Sequence, residues 1–142
     1  MKKILLITLS TLLLSQSVLA SDQTIDMLNK LGKEHMLYSK KIVKIEIGDT
    51  VFWKAKTRGH NVEFIKGGVP KGVEKFRSPL NKDTEYKFII PGIYAYWCTP
   101  HKNMGMIGFV IVGNDKSNLD DIKKIKYMGK SKKIAEELIN SF

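Results

Sequence analysis

Cysteine is almost absent from this chain. Its 142 residues include a single cysteine, Cys98, together with three histidines and four prolines. One cysteine cannot form an internal disulfide, so Cys98 is a free thiol, an intermolecular bridge or a metal ligand. The chain is therefore not one of the small secreted proteins that several disulfides hold together.

Long apolar runs are scarce as well. One run, Ile4 to Leu14, follows two lysines near the start, and it is too short for a membrane span of roughly 20 residues. A basic start, a short apolar run and a small residue at Ala20 are typical of a secretory signal peptide, although an uncleaved anchor is the alternative. We expect residues 1–20 to be removed, which leaves one exported domain at residues 21–142.

Acidic residues are few relative to basic ones. The chain has 24 lysines and arginines against 14 acidic residues, and residues 1–20 carry two of the lysines and no acid. The exported domain therefore has 22 basic and 14 acidic residues, a net charge of +8. The lysines are scattered, and an exported chain meets little nucleic acid, so nucleic-acid binding is not indicated. A basic surface instead favours transient contact with an acidic protein.

Helical periodicity is absent from the sequence between about residues 21 and 113. Short alternating segments separated by glycine-rich and proline-containing turns predict a mostly β fold, an antiparallel β-sandwich. The predicted strands are Thr24–Asn29, Lys41–Ile47, Val51–Ala55, Asn61–Ile65, Glu85–Ile90, Ile93–Cys98 and Met106–Val112.

The tail, about residues 117–141, has apolar residues at helical spacing and predicts two C-terminal α-helices at Asn118–Met128 and Lys132–Asn140. Ser117 with Asp120 resembles a capping box, Gly129 suits the end of the first helix, and Ser131 suits the start of the second.

Three potential metal ligands lie close together near the end of the predicted sandwich. Cys98, His101 and Met106 follow one another at short spacing, and a thiolate, an imidazole and a thioether together suit copper. Of the two other histidines, His60 lies at a turn between predicted strands, whereas His35 lies in a polar stretch and is expected at the surface. His60 is therefore the candidate for the remaining ligand.

Such a ligand set indicates an electron carrier. It suits both Cu(I) and Cu(II), and four protein ligands leave no open position for a substrate. A thiol enzyme using Cys98 and His101 is an alternative, but it would leave His60 and Met106 unexplained. A copper chaperone or storage protein would use the same soft ligands in open, exchangeable coordination, and it would lack a stable coloured Cu(II) form.

Short motifs throughout the exported domain support this interpretation. They are Met27 to Lys30, Gly48 to Val51, Gly59 to Glu63, Glu74 to Phe76, Pro91-Gly92, Cys98 to His101 and Met104 to Met106. In these segments and in its two terminal helices the chain resembles the pseudoazurins, small periplasmic blue copper proteins of the cupredoxin family.

The resemblance implies a Greek-key cupredoxin sandwich with one type 1 copper. By position in the motifs it implies four copper ligands: His60, Cys98, His101 and Met106. Three neighbours are expected to tune the site: Asn61, Thr99 and Pro100. In the family the backbone N–H of Asn61 is expected to reach the Cys98 sulfur, whereas Pro100 has no N–H to offer.

The resemblance also implies a soluble, monomeric periplasmic carrier with no membrane contact after processing. Its implied transient partners are copper-containing nitrite reductase, nitrous oxide reductase or a cytochrome c. Electrons would pass through the edge of His101, exposed within an apolar patch that includes Met36, Pro100 and Met104. Lys102, where an aromatic residue is expected, and Trp97, just before Cys98, depart from the expected pattern and bear on which partner is used.

Overall fold

Two four-stranded β-sheets and two helices make up the computed structural model, which describes residues 21–142. The predicted signal peptide lies outside the described residues. The first sheet contains, in spatial order, β2 (Glu34–Tyr38), β1 (Gln23–Leu31), β4 (Thr50–Ala55) and β6 (Thr84–Lys87). The second contains β3 (Ile42–Ile45), β8 (Ile107–Val112), β7 (Gly92–Trp97) and β5 (Glu63–Phe64). The helices α1 (Leu119–Lys124) and α2 (Lys130–Ile139) follow the last strand.

The predicted sandwich with two C-terminal helices is confirmed, and the pairing of its strands adds detail. Four of the six strand pairs are antiparallel, but β1 with β4 and β3 with β8 are parallel. Alternation of apolar and polar residues identifies a strand but not the direction of its neighbour. The sequence prediction also missed β2, whose polar start at Glu34 and His35 is exposed and hides the alternation.

Aromatic side chains fill the space between the sheets. Tyr96 of β7 packs edge-to-face against Tyr38 and Trp53, with ring centroids 4.9 Å and 5.3 Å away. Its own ring occupies the space above Gly108 of β8, where a β-carbon would lie 2.4 Å from the tyrosine ring. The same buried cluster includes Cys98, so the core continues without interruption to the candidate metal ligands.

The outer face of the second sheet is covered by the two helices. Ile93, Phe109 and Ile111 of the sheet pack against Ile122 of α1 and Ile139 of α2, and all five side chains are buried. Because β7 and β8 are covered on both faces, their sequences are almost continuously apolar rather than alternating. Within residues 21–142 none of the helices has the length and apolar character needed to cross a membrane.

Helix boundaries differ from the prediction. The first helix ends at Lys124, and its N-cap is Asn118 rather than Ser117, with no side-chain cap hydrogen bond. The Asn118 side chain bonds instead to both backbone groups of Ile93, accepting from its N–H (2.9 Å) and donating to its C=O (2.8 Å). Gly129 does not end the first helix; it precedes the second, with a positive φ of 56°. Packing of the tail onto β7 thus overrides the local capping signals.

Candidate metal centre

The four predicted ligands are carried by two loops at one end of the sandwich. His60 lies in the loop between β4 and β5, and the other three lie between β7 and β8. Cys98 follows β7 directly, His101 ends the short 3₁₀ turn Thr99–His101, and Met106 precedes β8. Because β7 and β8 form an antiparallel hairpin, their joined ends hold Cys98 and Met106 side by side, with the Cys98 N–H donating to the Met106 C=O at 3.0 Å.

Three of the donor atoms converge. The Nδ1 atoms of His60 and His101 are 3.2 Å apart, and the Cys98 Sγ lies 3.8 Å from the first and 3.4 Å from the second. His60 and Cys98 are buried, as is Met106, whereas His101 is half-buried. The structure thus brings His60, Cys98 and His101 into one cluster with their ligand atoms facing one another, and His35 lies apart from them on β2.

A hydrogen bond that the His60 ring donates to Asn29 orients the ring. The His60 Nε2 lies 2.7 Å from the Asn29 side-chain oxygen and 3.1 Å from the Thr57 hydroxyl. Since an amide oxygen can only accept, it fixes the proton on Nε2 and leaves the lone pair of Nδ1 directed at Cys98 and His101. The sequence did not predict a role for Asn29. An asparagine near the end of a predicted strand does not indicate that its side chain will contact the loop that follows β4.

Burial sets the protonation states of the cluster. Desolvation, helped by the neighbouring His101, lowers the pKa of His60 to about 4, and desolvation also lowers the pKa of His101. Desolvation raises the pKa of the Cys98 thiol, opposed by hydrogen bonds from the backbone N–H groups of Asn61 and His101. Both imidazoles are therefore neutral at neutral pH and ready to coordinate, while the thiol must release a proton when a metal binds.

A hydrogen-bond network joins the two ligand loops. Asn61, beside His60, donates its amide to the Thr99 hydroxyl at 2.9 Å and accepts from the Thr99 backbone N–H at 2.8 Å. The Thr99 hydroxyl in turn donates to Glu63 at 2.7 Å, and the Trp97 indole N–H donates to the same carboxylate oxygen at 3.1 Å. The expected neighbours Asn61 and Thr99 therefore hold the loops in register, and Glu63 is an additional member that sequence reasoning missed.

The two residues that depart from the expected pattern lie against each other. The Lys102 ammonium sits 5.4 Å from the centre of the Trp97 ring, an arrangement that allows a cation–π interaction. This contact places the lysine over a half-buried aromatic surface.

The second helix braces the loop between His101 and Met106. The Ser131 hydroxyl donates to the Lys102 C=O at 2.5 Å and accepts from the Gly105 N–H at 3.0 Å. Ser131 was predicted to cap α2, but it lies inside the helix, buried, and bonds to the loop instead. The tail therefore supports the ligand loop, a role that its amphipathic pattern alone did not reveal.

The donor set fits copper. Two neutral imidazole nitrogens and a cysteine sulfur form the cluster, no carboxylate belongs to it, and a methionine is fixed next to the cysteine. Imidazole with thiolate and a weak thioether is the combination of a type 1 copper site. Hard cations such as Mg²⁺ and Ca²⁺ prefer oxygen ligands, which this cluster lacks.

Sandwich and site together define a cupredoxin whose cofactor is one type 1 copper ion, and comparisons with known proteins agree. The model of the copper-binding proteins of the plastocyanin/azurin family matches residues 25–113. The chain belongs to this family, and within it to the pseudoazurins.

Relatives in that group are similar over most of their length. A putative pseudoazurin of Rhizobium leguminosarum bv. viciae is 42% identical over 78% of this chain and 72% of its own. The pseudoazurin of Paracoccus pantotrophus is 38% identical over 80% of this chain and 78% of its own. The native pseudoazurin from Hyphomicrobium denitrificans, whose crystal structure is known, is 32% identical to this chain. The two structures match with a TM-score of 0.81 over 86% of this chain and 98% of the other. Pseudoazurins are electron-transfer cupredoxins, so this protein is an electron carrier and not an enzyme.

Proposed function

We propose that this protein is a soluble periplasmic carrier that passes single electrons to an acidic oxidoreductase, with His60, Cys98, His101 and Met106 as its copper ligands. The observation that carries the proposal is the convergence of two Nδ1 atoms and one Sγ within 3.8 Å of one another. Bound copper supplies a one-electron couple between Cu(I) and Cu(II). The chain supplies everything else: the donors, their fixed positions and the surface through which an electron leaves.

Rigid ligand positions suit this task. The Asn61 to Thr99 hydrogen bonds fix the two loops relative to each other, Asn29 fixes the ring of His60, and Ser131 fixes the loop ahead of Met106. A site held from outside in this way keeps one geometry in both oxidation states, so little rearrangement accompanies electron transfer.

The half-buried ring of His101 is the proposed exit. Gly59 lies against this ring and has no side chain to cover it, since a β-carbon there would be 3.8 Å from the His101 Cε1. Pro100 is exposed and Met104 is 45% exposed, so the apolar surface expected around the ring includes both. Met36, also expected there, is half-buried and packs against the core. A small apolar contact of this kind suits a complex that must form and separate quickly.

Charge supports an acidic partner. The domain from residue 21 onward carries a net charge of +8, and long-range attraction accelerates the encounter of oppositely charged surfaces. Copper-containing nitrite reductase and nitrous oxide reductase are the proposed acceptors, and a cytochrome c is a further proposed partner. Export to the periplasm would follow from removal of residues 1–20, which carry the features of a signal peptide.

An optical spectrum tests the copper site. Purified protein with added Cu(II) is expected to give an intense visible absorption from a Cu(II)–thiolate bond, and the Cys98→Ser variant is expected to lose it. A matched control, His35→Ala, alters a histidine outside the cluster and should leave the spectrum unchanged. Copper binding without colour would contradict the proposal and favour a chaperone or storage protein.

Salt dependence tests the docking surface. The bimolecular rate of electron transfer to an acidic partner is expected to fall as ionic strength rises. Lys102→Ala should weaken that dependence, because Lys102 follows His101 at the metal end of the molecule. Lys87→Ala is the control, since Lys87 pairs with Thr50 at the far end of the first sheet. A rate independent of salt would refute electrostatic steering while leaving the copper site intact.

A further inference from the structure

Asp49 is a buried carboxylate at the end of the sandwich opposite the metal centre. It lies in the turn between β3 and β4, and its exposed fraction is 2%. Its Oδ2 accepts from the Glu46 backbone N–H at 2.9 Å, and its Oδ1 accepts from the Ser21 backbone N–H at 3.0 Å. Both oxygens are thus held by neutral amide donors.

No cation accompanies this carboxylate in the described part of the chain. The ion pairs formed among residues 21–142 join Lys41 to Glu34, Lys54 to Asp83, Lys124 to Asp121 and Lys133 to Glu137, and none of them includes Asp49. Buried carboxylates are ordinarily paired with a positive charge, because removing an ion from water is costly unless another charge compensates it. The local fold therefore lacks one expected partner.

The nitrogen of Ser21 is the atom that would provide that charge. Cleavage after Ala20, as proposed above, would make it the α-amino group of the mature chain, and such groups are mostly protonated near neutral pH. We propose that cleavage between Ala20 and Ser21 turns a neutral amide donor into an α-ammonium group that forms an ion pair with the buried Asp49 carboxylate.

The bond changes are those of peptide hydrolysis by a signal peptidase. The C–N bond between Ala20 and Ser21 breaks, the hydroxyl of a water molecule joins the Ala20 carbonyl carbon, and the Ser21 nitrogen takes up protons to become the ammonium. No oxidant or reductant is involved. The signal segment leaves with the new carboxylate, and the mature chain keeps the new cation.

Neighbouring contacts hold the new terminus in place. Gln23 pairs with Val51 in the parallel β1–β4 ladder, two residues after Ser21. The Asp22 side chain accepts from the Thr50 N–H at 3.0 Å, which fixes the intervening residue as well. A chain that begins one residue earlier would place its ammonium about 3.8 Å farther along and keep a neutral amide beside Asp49. The ion pair therefore depends on cleavage at this one bond.

Thermal unfolding of the copper-loaded mature protein, residues 21–142, tests the pairing. Two forms are compared near pH 6.5, one with a free Ser21 amine and one with an N-terminal acetyl group. A hydrogen bond to a charged donor contributes more stability than one to a neutral donor, so acetylation is expected to lower Tm by about 5 °C. Equal Tm values for the two forms would overturn the inference.

Two variants make the result specific. In Asp49→Asn the amide oxygen can still accept a hydrogen bond but the charge is gone, so acetylation should change Tm by less than about 1 °C. In Asp22→Asn, which removes the neighbouring exposed carboxylate, acetylation should keep its full effect. An equal effect of acetylation in Asp49→Asn and the unaltered chain would refute the assignment.

A chain beginning at Ala20 provides a test that leaves Asp49 unchanged. It is expected to unfold at the same temperature as the acetylated form, and a Tm equal to that of the free Ser21 form would refute the pairing. The inference rests on the proposed export. Mass spectrometry of the exported protein identifies the first residue of the mature chain and so tests the cleavage separately from the copper function. A chain starting at any residue other than Ser21 would overturn the inference, whereas an unchanged visible spectrum in every variant would show that the copper function stands independently.

Discussion

Replacing Thr99 with valine removes one hydroxyl from between the two ligand loops and keeps the branched shape of the side chain. That hydroxyl donates to Glu63 at 2.7 Å and accepts from the Asn61 amide at 2.9 Å. After the substitution, Glu63 keeps its hydrogen bond from Trp97, and Asn61 keeps one to the Ser78 C=O at 3.2 Å. The substitution therefore removes two hydrogen bonds, but Glu63 and Asn61 each keep another one.

The size of the effect follows from the two bonds. A neutral hydrogen bond contributes about 0.5–1.5 kcal/mol and one to a charged group about 1.5–3 kcal/mol, so the sum is about 2–4.5 kcal/mol. Because both partners keep a second hydrogen bond, we expect the lower half, about 2–3 kcal/mol of unfolding free energy. With urea m-values of about 1–3 kcal/mol/M, the unfolding midpoint should fall by roughly 0.7–3 M.

Urea unfolding of the copper-free protein, followed by the fluorescence of Trp53 and Trp97, measures this without a contribution from the metal. Thr99→Ser is the matched control, because it keeps the hydroxyl and removes one methyl group, at a cost of about 1 kcal/mol. A Thr99→Val protein within about 0.5 kcal/mol of the unaltered chain, or one no less stable than Thr99→Ser, would refute the view that this hydroxyl joins the loops.

Three further predictions concern other parts of the molecule. Pro100→Ala adds an N–H near the Cys98 sulfur, where it would draw electron density from the thiolate and favour Cu(I). Voltammetry should therefore show a higher midpoint potential, and an unchanged or lower value would contradict this. Gly105→Ala places a β-carbon 2.5 Å from the Ile134 Cδ1 at a φ of 99°. We expect thermal unfolding to show a loss of about 1–3 kcal/mol in the free energy of unfolding, and no loss would mean that the loop shifts freely. A backbone N–H of β4 and a nearby lysine hold the pKa of Asp83 below its usual range, so its stabilising effect is present above the ordinary carboxyl pKa of about 3.9 and disappears as pH falls through the lowered value. The difference in Tm between the unaltered chain and Asp83→Asn should therefore shrink in acid, and a difference constant with pH would argue against it.

Most strands could be predicted because their alternation is a local property. Val43 and Ile45 face the core, as the alternation of β3 predicts, but Ile47, two residues on, is 56% exposed because the strand has ended in the turn before Asp49. The pattern contains no information about where the partner strand stops. For the same reason, it could not reveal that β3 lies parallel to β8.

The candidate ligands could also be predicted, since Cys98, His101 and Met106 are close in sequence and copper chemistry selects their donor types. The residues that orient them could not. Asn29 acts across a long sequence separation through one side-chain hydrogen bond and Ser131 through two, and both are residue types common on any surface. Only the fold brings them to the site.

The parallel strand pairs join segments that are far apart in the sequence. Ile42 of β3 lies beside Phe109 of β8, so a loop spanning most of the domain must close before this pairing contributes any stability. The hairpin that carries Cys98 and Met106 meets the loop of His60 through a second long-range pairing, that of β5 with β7. Before these long-range pairings form, the chain has thiol and imidazole groups but no shared pocket for them. We therefore expect metal uptake to mark the completion of folding rather than its beginning.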